Sequence, residues 1–213
     1  MRKGAPVPSP RSAGRPDALI PDGAPYQVIA VGASAGGFHS LCALLRPIPA
    51  DLPCGILVVQ HLSPDYKSIL AELLNHRTAL RVRQAKDGEP VVPGTVYIAP
   101  PDLHLLAEPG NVRLLRTPNV NHHRPSIDLL FESVAVNYGA HSIGIVLSGS
   151  GTDGARGLKA IKIAGGATVT EDPARAEFNS MPYAAVATGC VDFVLPLDKV
   201  GGLITRLCHP KTQ

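Results

Sequence analysis

A chain of 213 residues, 45% of them hydrophobic, is long enough to bury one substantial core, and a net charge of +3 with no long Lys or Arg run argues against nucleic acid as a partner. No apolar run reaches the roughly 20 residues of a membrane span, and no hydrophobic signal core opens the sequence, so a cytoplasmic protein without membrane insertion is expected. Cys42, Cys54, Cys190 and Cys208 form no C-x-x-C pair and lie beside apolar residues, as reduced core thiols do.

Residues 1–24, rich in Pro, Gly, Ser and Arg, read as a disordered tail, and residues 25–213 as one folded domain. From there the pattern predicts a strand over Gln27–Val31, a helix over Phe38–Leu45, a strand over Ile56–Gln60 and a helix over Lys67–Asn75. Short alternating pieces between Leu80 and Leu115, separated by Gly94, Pro100-Pro101 and Pro109-Gly110-Asn111, read as hairpins of an antiparallel insert. A helix follows to about Tyr138, with Pro125 near its first position and Ile127, Leu130, Phe131 and Val134 on one face. A strand over Ser142–Ser148, a helix over Ala155–Ala164, strands at Ala167–Thr170 and Val191–Leu195, and a helix over Asp198–Cys208 complete the chain. The expected fold is α/β: a doubly wound, mostly parallel sheet with flanking helices and an antiparallel hairpin insert.

Three strand ends carry chemistry. Gly32-Ala33-Ser34-Ala35-Gly36-Gly37 sets a hydroxyl in a Gly-rich turn, Gln60-His61-Leu62 ends a strand in an imidazole, and Ser148-Gly149-Ser150-Gly151-Thr152-Asp153-Gly154 holds a carboxylate in a second Gly-rich turn. The first turn alone suits either a phosphate or a nucleophile. It is not G-x-G-x-x-G, and no Lys-Ser or Lys-Thr follows it, which disfavours the nucleotide reading. Residues past adjacent parallel strands meet at one sheet edge, so Ser34, His61 and Asp153 are expected to converge as nucleophile, base and orienting acid. The backbone N–H groups of Ala35 and Ser150 are the candidates for oxyanion stabilisation. Gly32, Gly36 and Gly37 are expected to let the first turn bend sharply.

These three motifs together resemble the catalytic domain of the chemotaxis protein-glutamate methylesterases. Val96-Tyr97-Ile98-Ala99-Pro100-Pro101, Arg124-Pro125-Ser126-Ile127-Asp128-Leu129-Leu130-Phe131 and Ala176-Glu177-Phe178-Asn179-Ser180-Met181-Pro182 extend the resemblance from about Val28 to Leu207. It implies hydrolysis of glutamate γ-methyl esters on the cytoplasmic helices of chemoreceptors, deamidation of receptor glutamines, a triad of Ser34, His61 and Asp153, and no metal or organic cofactor. Ala35 stands where that family usually has threonine, and Ser150 where it usually has methionine. The familiar enzymes carry an N-terminal receiver domain where this sequence has a polar tail, so activity that is constitutive or set by a separate partner is expected, with a separate methyltransferase or response regulator as the partner proteins. Arg124, Thr152 and Met181 are the candidates for touching substrate. The adjacent His122 and His123 read as a surface loop rather than a metal site. The competing functions are a same-fold esterase or amidase with another substrate and a catalytically silent module that binds receptor or methyltransferase.

Overall fold

The computed structural model describes residues 26–61 and 68–209; the tail expected over residues 1–24 lies outside them. The described chain opens with β1 (Val28–Ala33), α1 (Gly37–Leu45), β2 (Gly55–Gln60) and α2 (Leu70–Asn75). Both strands are buried at every position. They read as continuous apolar runs because a parallel strand in mid-sheet is covered on both faces. Their side chains still divide by the two-residue period of a strand. Ile29, Val31 and Ala33 enter a core with Leu41, Leu44, Leu203 and Ile204, whereas Val28 and Ala30 enter a second core with Ile127, Leu130, Phe131 and Leu158.

Next come β3 (Arg81–Gln84) and β4 (Thr95–Ile98), then β5 (His104–Glu108) and β6 (Asn111–Leu115). The antiparallel insert expected over this whole stretch is confined to β5 and β6, which pair across the Pro109-Gly110 turn. β3 instead pairs parallel with β4, and β4 pairs parallel with β2, so both extend the main sheet. Residues 85–94 carry the chain back along the sheet as a crossover, held to the β6 hairpin by Gly88 N–H to Val112 O (3.0 Å) and Val91 N–H to Gly110 O (2.8 Å). Their turn residues bend a crossover rather than tip a hairpin.

The chain closes with α3 (Ile127–Tyr138), β7 (Ser142–Val146), α4 (Ala155–Ile163), β8 (Ala167–Glu171), α5 (Ser180–Ala187), β9 (Phe193–Leu195) and α6 (Leu197–Cys208). α5 was not expected: it buries only Met181, Pro182 and Ala185, too few to write an apolar stripe. Pro125, expected at the first position of α3, precedes the N-cap Ser126, and the Arg124–Pro125 peptide is cis. Cys54 and Cys208 are buried, Cys42 and Cys190 are half-buried, and all four are free thiols. Among the described residues no helix is long and apolar enough to cross a membrane.

The parallel sheet has the order β3-β4-β2-β1-β7-β8-β9. The strand order therefore reverses beside β1, and the C-terminal ends of β2, β1 and β7 stand next to one another at that reversal. An open α/β sheet presents its binding crevice there. Pairing of Ala33 with Gln60 sets the residues that follow them at the same level.

Candidate active site

Beyond β1 the chain turns through Ser34, Ala35 and Gly36 into α1. Gly36 takes φ +72 just before the helix, a conformation that glycine adopts at little cost. Ser34 N–H donates to the Ser148 carbonyl at 3.0 Å, so the first turn is pinned to the second. The other two glycines serve close approach rather than the bend expected of them. A β-carbon at residue 32 would lie 2.3 Å from Ile127 Cγ2, and one at residue 37 would lie 1.8 Å from Gln60 Oε1.

The three expected residues meet. Ser34 Oγ lies 3.2 Å from His61 Nδ1, and His61 Nε2 lies 2.9 Å from Asp153 Oδ2. The Asp153 carboxylate only accepts, so Nε2 carries the hydrogen and Nδ1 is left free to receive the serine proton. The ring nitrogens thus exchange the roles they hold in chymotrypsin-type triads, while the order hydroxyl, imidazole, carboxylate is the same.

Asp153 is 2% exposed. Burial by itself raises its pKa; the hydrogen bond from His61 and the backbone N–H groups of Asp128 and Ile127 outweigh it and hold the carboxyl below the ordinary carboxylate range. Its Oδ1 accepts from Ser126 Oγ at 3.1 Å and Asp128 N–H at 2.9 Å. Oδ2 accepts from Ile127 N–H at 2.8 Å as well as from His61. Asp153 thus docks on the N-terminus of α3, whose unpaired N–H groups and dipole favour an anion. In exchange, Asp128 Oδ1 accepts from Gly154 N–H at 2.9 Å and Gly157 N–H at 2.8 Å at the start of α4. Asp128 of α3 thus closes the first turn of α4, and Asp153, in the turn ahead of α4, closes that of α3.

Sequence reasoning did not foresee that seat, although Pro-Ser ahead of an apolar helical face marks a helix start and hence a place for an anion. It also missed His123. Instead of lying in a detached surface loop, this imidazole stacks on His61 with ring centroids 3.8 Å apart and planes 6° from parallel. Burial, aided by the neighbouring His61, holds its pKa below the ordinary histidine value. Among the described residues no three His, Cys, Asp or Glu side chains gather to hold a metal ion.

Arg124 is committed within the fold. Its guanidinium pairs with Asp102 and donates to the Thr117 carbonyl at 2.8 Å, while it also lines a cavity of about 170 Å³ with His61, His122 and His123. Met181 is buried; its Sδ would be 2.2 Å from a β-carbon at Gly149, so it packs behind the second turn. Thr152 is exposed on that turn. Gly149 N–H is taken by the Phe178 carbonyl at 2.8 Å, and Ser148 N–H by Glu171 at 2.9 Å. Among the described residues no acceptor takes the N–H of Ala35 or of Ser150.

The family model described as CheB methylesterase matches residues 29–204. Protein-glutamate methylesterase/protein-glutamine glutaminase 4 of Anaeromyxobacter dehalogenans is 41% identical over 211 residues, covering 97% of this chain and 58% of that protein. Protein-glutamate methylesterase FrzG of Myxococcus xanthus is 41% identical over 183 residues, covering 85% of this chain and 55% of that protein. The chain therefore spans between half and three fifths of the length of these relatives. The crystal structure of the Thermotoga maritima CheB methylesterase catalytic domain matches with a TM-score of 0.81 at 35% identity, covering 85% of this chain and 98% of that one.

Proposed function

We infer a function from the premise that this chain belongs to the CheB methylesterase family: residues 25–213 form a serine hydrolase domain that removes methyl groups from glutamate γ-methyl esters on chemoreceptor cytoplasmic helices and deamidates receptor glutamines. The observation that carries this reading is the unbroken contact from Ser34 Oγ through His61 to buried Asp153. A serine hydroxyl is a weak nucleophile until a base can take its proton. Here His61 Nδ1 takes the proton as Ser34 Oγ attacks the ester carbonyl. The negative charge on the carbonyl oxygen is met by the backbone N–H groups of Ala35 and Ser150, which have no other acceptor among the described residues. His61 then gives its proton to the departing methoxide, and methanol leaves. Water, deprotonated by the same imidazole, cleaves the acyl-enzyme and regenerates Ser34. Asp153 stays ionised throughout and stabilises the imidazolium. Donors at Ala35 and Ser150 are main-chain groups, so the departures from the family's usual threonine and methionine change the walls of the pocket and keep its donors. Thr152, exposed beside Asp153, and Arg124, which lines the cavity at His61, are the residues placed to touch substrate. A methyltransferase that makes the esters and a response regulator are the protein partners this function implies.

Methanol release from a methylated receptor cytoplasmic fragment tests the reading. The wild-type chain should release methanol, and Ser34→Ala should lose on the order of 10⁴-fold or more in kcat. No release by wild type, or equal release by Ser34→Ala, would refute it.

A further inference from the structure

The carbonyl of Ser34 faces two donors. Gly37 N–H reaches it at 2.9 Å, and the side-chain amide nitrogen of Gln60 reaches it at 2.6 Å. The same nitrogen lies 3.1 Å from the carbonyl of His61. One amide therefore spans the backbones of the residues read above as nucleophile and base. Its orientation is fixed by its partners: turned over, Gln60 Oε1 would face two carbonyl oxygens, acceptor against acceptor. In the orientation observed, Oε1 is buried without a partner among the described residues. A buried acceptor left unpaired costs free energy, which an apolar side chain of similar size would avoid. Gly37 bears a further constraint, because a β-carbon there would collide with that oxygen.

We propose that Gln60 is a positioning residue that aims the backbone N–H of Ala35 at the substrate's carbonyl oxygen. A trans peptide is planar, with its C=O and the following N–H pointing in opposite directions. Ser34 C=O and Ala35 N–H belong to one such unit. Two donors on the carbonyl therefore fix the plane and turn the Ala35 N–H to the far side, where it meets no acceptor among the described residues. Losing the Gln60 amide leaves the plane held from one side only, by Gly37. Because the oxyanion forms only as the reaction proceeds, a mis-aimed donor weakens the transition state and leaves substrate binding unchanged. This inference rests on the reading of Ser34 as the nucleophile of a hydrolase.

The test measures kcat and KM for methanol release from the methylated receptor fragment, with circular dichroism melting of each protein. Gln60→Met keeps the volume and removes the donors. Gln60→Glu keeps the shape and sets a carboxylate against the two carbonyls. Gly37→Ala leaves Gln60 in the sequence but forces its amide aside. Each folded variant should lose about 10- to 100-fold in kcat, up to the cost of one oxyanion donor, with KM within about twofold of wild type. Unchanged kcat in any folded variant overturns the proposal, as does a loss carried wholly by KM. A wild-type chain that releases no methanol refutes the hydrolase reading instead, so the two failures are told apart.

Discussion

Asp153 keeps its charge in a buried setting because four donors converge on its two oxygens, and that charge decides which nitrogen of His61 is free to act. His123 adds a constraint of another kind, since its ring covers one face of the His61 ring. Aromatic stacking is worth about 0.5–1.5 kcal/mol, so losing it should cost roughly 2- to 13-fold in kcat if the stack holds His61 in its working rotamer. His123→Ala should show that loss, and His123→Phe, which keeps a flat ring, should recover most of it in the same steady-state assay. At this scale the sequence was informative about which groups meet, since hydroxyl, imidazole and carboxylate each stand at a strand end. It was silent about what touches them. His123 follows another histidine in a stretch without periodicity, and Gln60 reads as the last residue of an apolar strand.

Between elements, α3 and α4 are joined by an exchange of carboxylates, with Asp153 on the start of α3 and Asp128 on the start of α4. Neither helix has an acidic cap of its own at the site, and the exchange ties the loop carrying Asp153 to the core. Asp128→Ala would leave the N–H groups of Gly154 and Gly157 unpaired in a buried place, lowering stability by about 1–3 kcal/mol in denaturant unfolding. Asp128→Asn, which keeps an accepting oxygen, should lose less than half of that. The Arg-Pro-Ser-Ile-Asp run was legible as a helix start but not as an anion seat, because the anion comes from 25 residues further on. Strand direction was the other illegible feature. Asp87-Gly88 and Pro93-Gly94 bend the chain equally well at a hairpin tip or within a crossover, and only pairing with β2 decides that β4 runs parallel.

Across the whole molecule, the reversal of strand order beside β1 brings together residues 34, 61 and 153, and the alternation of strands and helices in the sequence already carried that architecture. The fold also buries ionisable groups that tie stability to pH. His104 accepts from Ser126 N–H on Nδ1 at 3.1 Å and donates from Nε2 to the Pro118 carbonyl at 3.2 Å, so it is neutral when folded. Burial holds its pKa below the ordinary 6.5. The unfolded chain then binds the proton first, and the stability His104 contributes is present above pH 6.5 and lost as pH falls through its folded value. Asp128 and Glu171, pushed up by burial, act in the opposite sense lower in the range. The readout is therefore the difference in melting temperature between wild type and His104→Gln from neutral pH downward, where the wild type should fall more steeply. The central claim is that Ser34, His61 and Asp153 work as one hydrolytic unit on this scaffold. Its most direct test is mass spectrometric mapping of the folded protein after treatment with a fluorophosphonate. A single adduct on Ser34, lost in His61→Gln and in the unfolded chain, is the expected result; no adduct, an adduct elsewhere, or equal labelling of His61→Gln would contradict it.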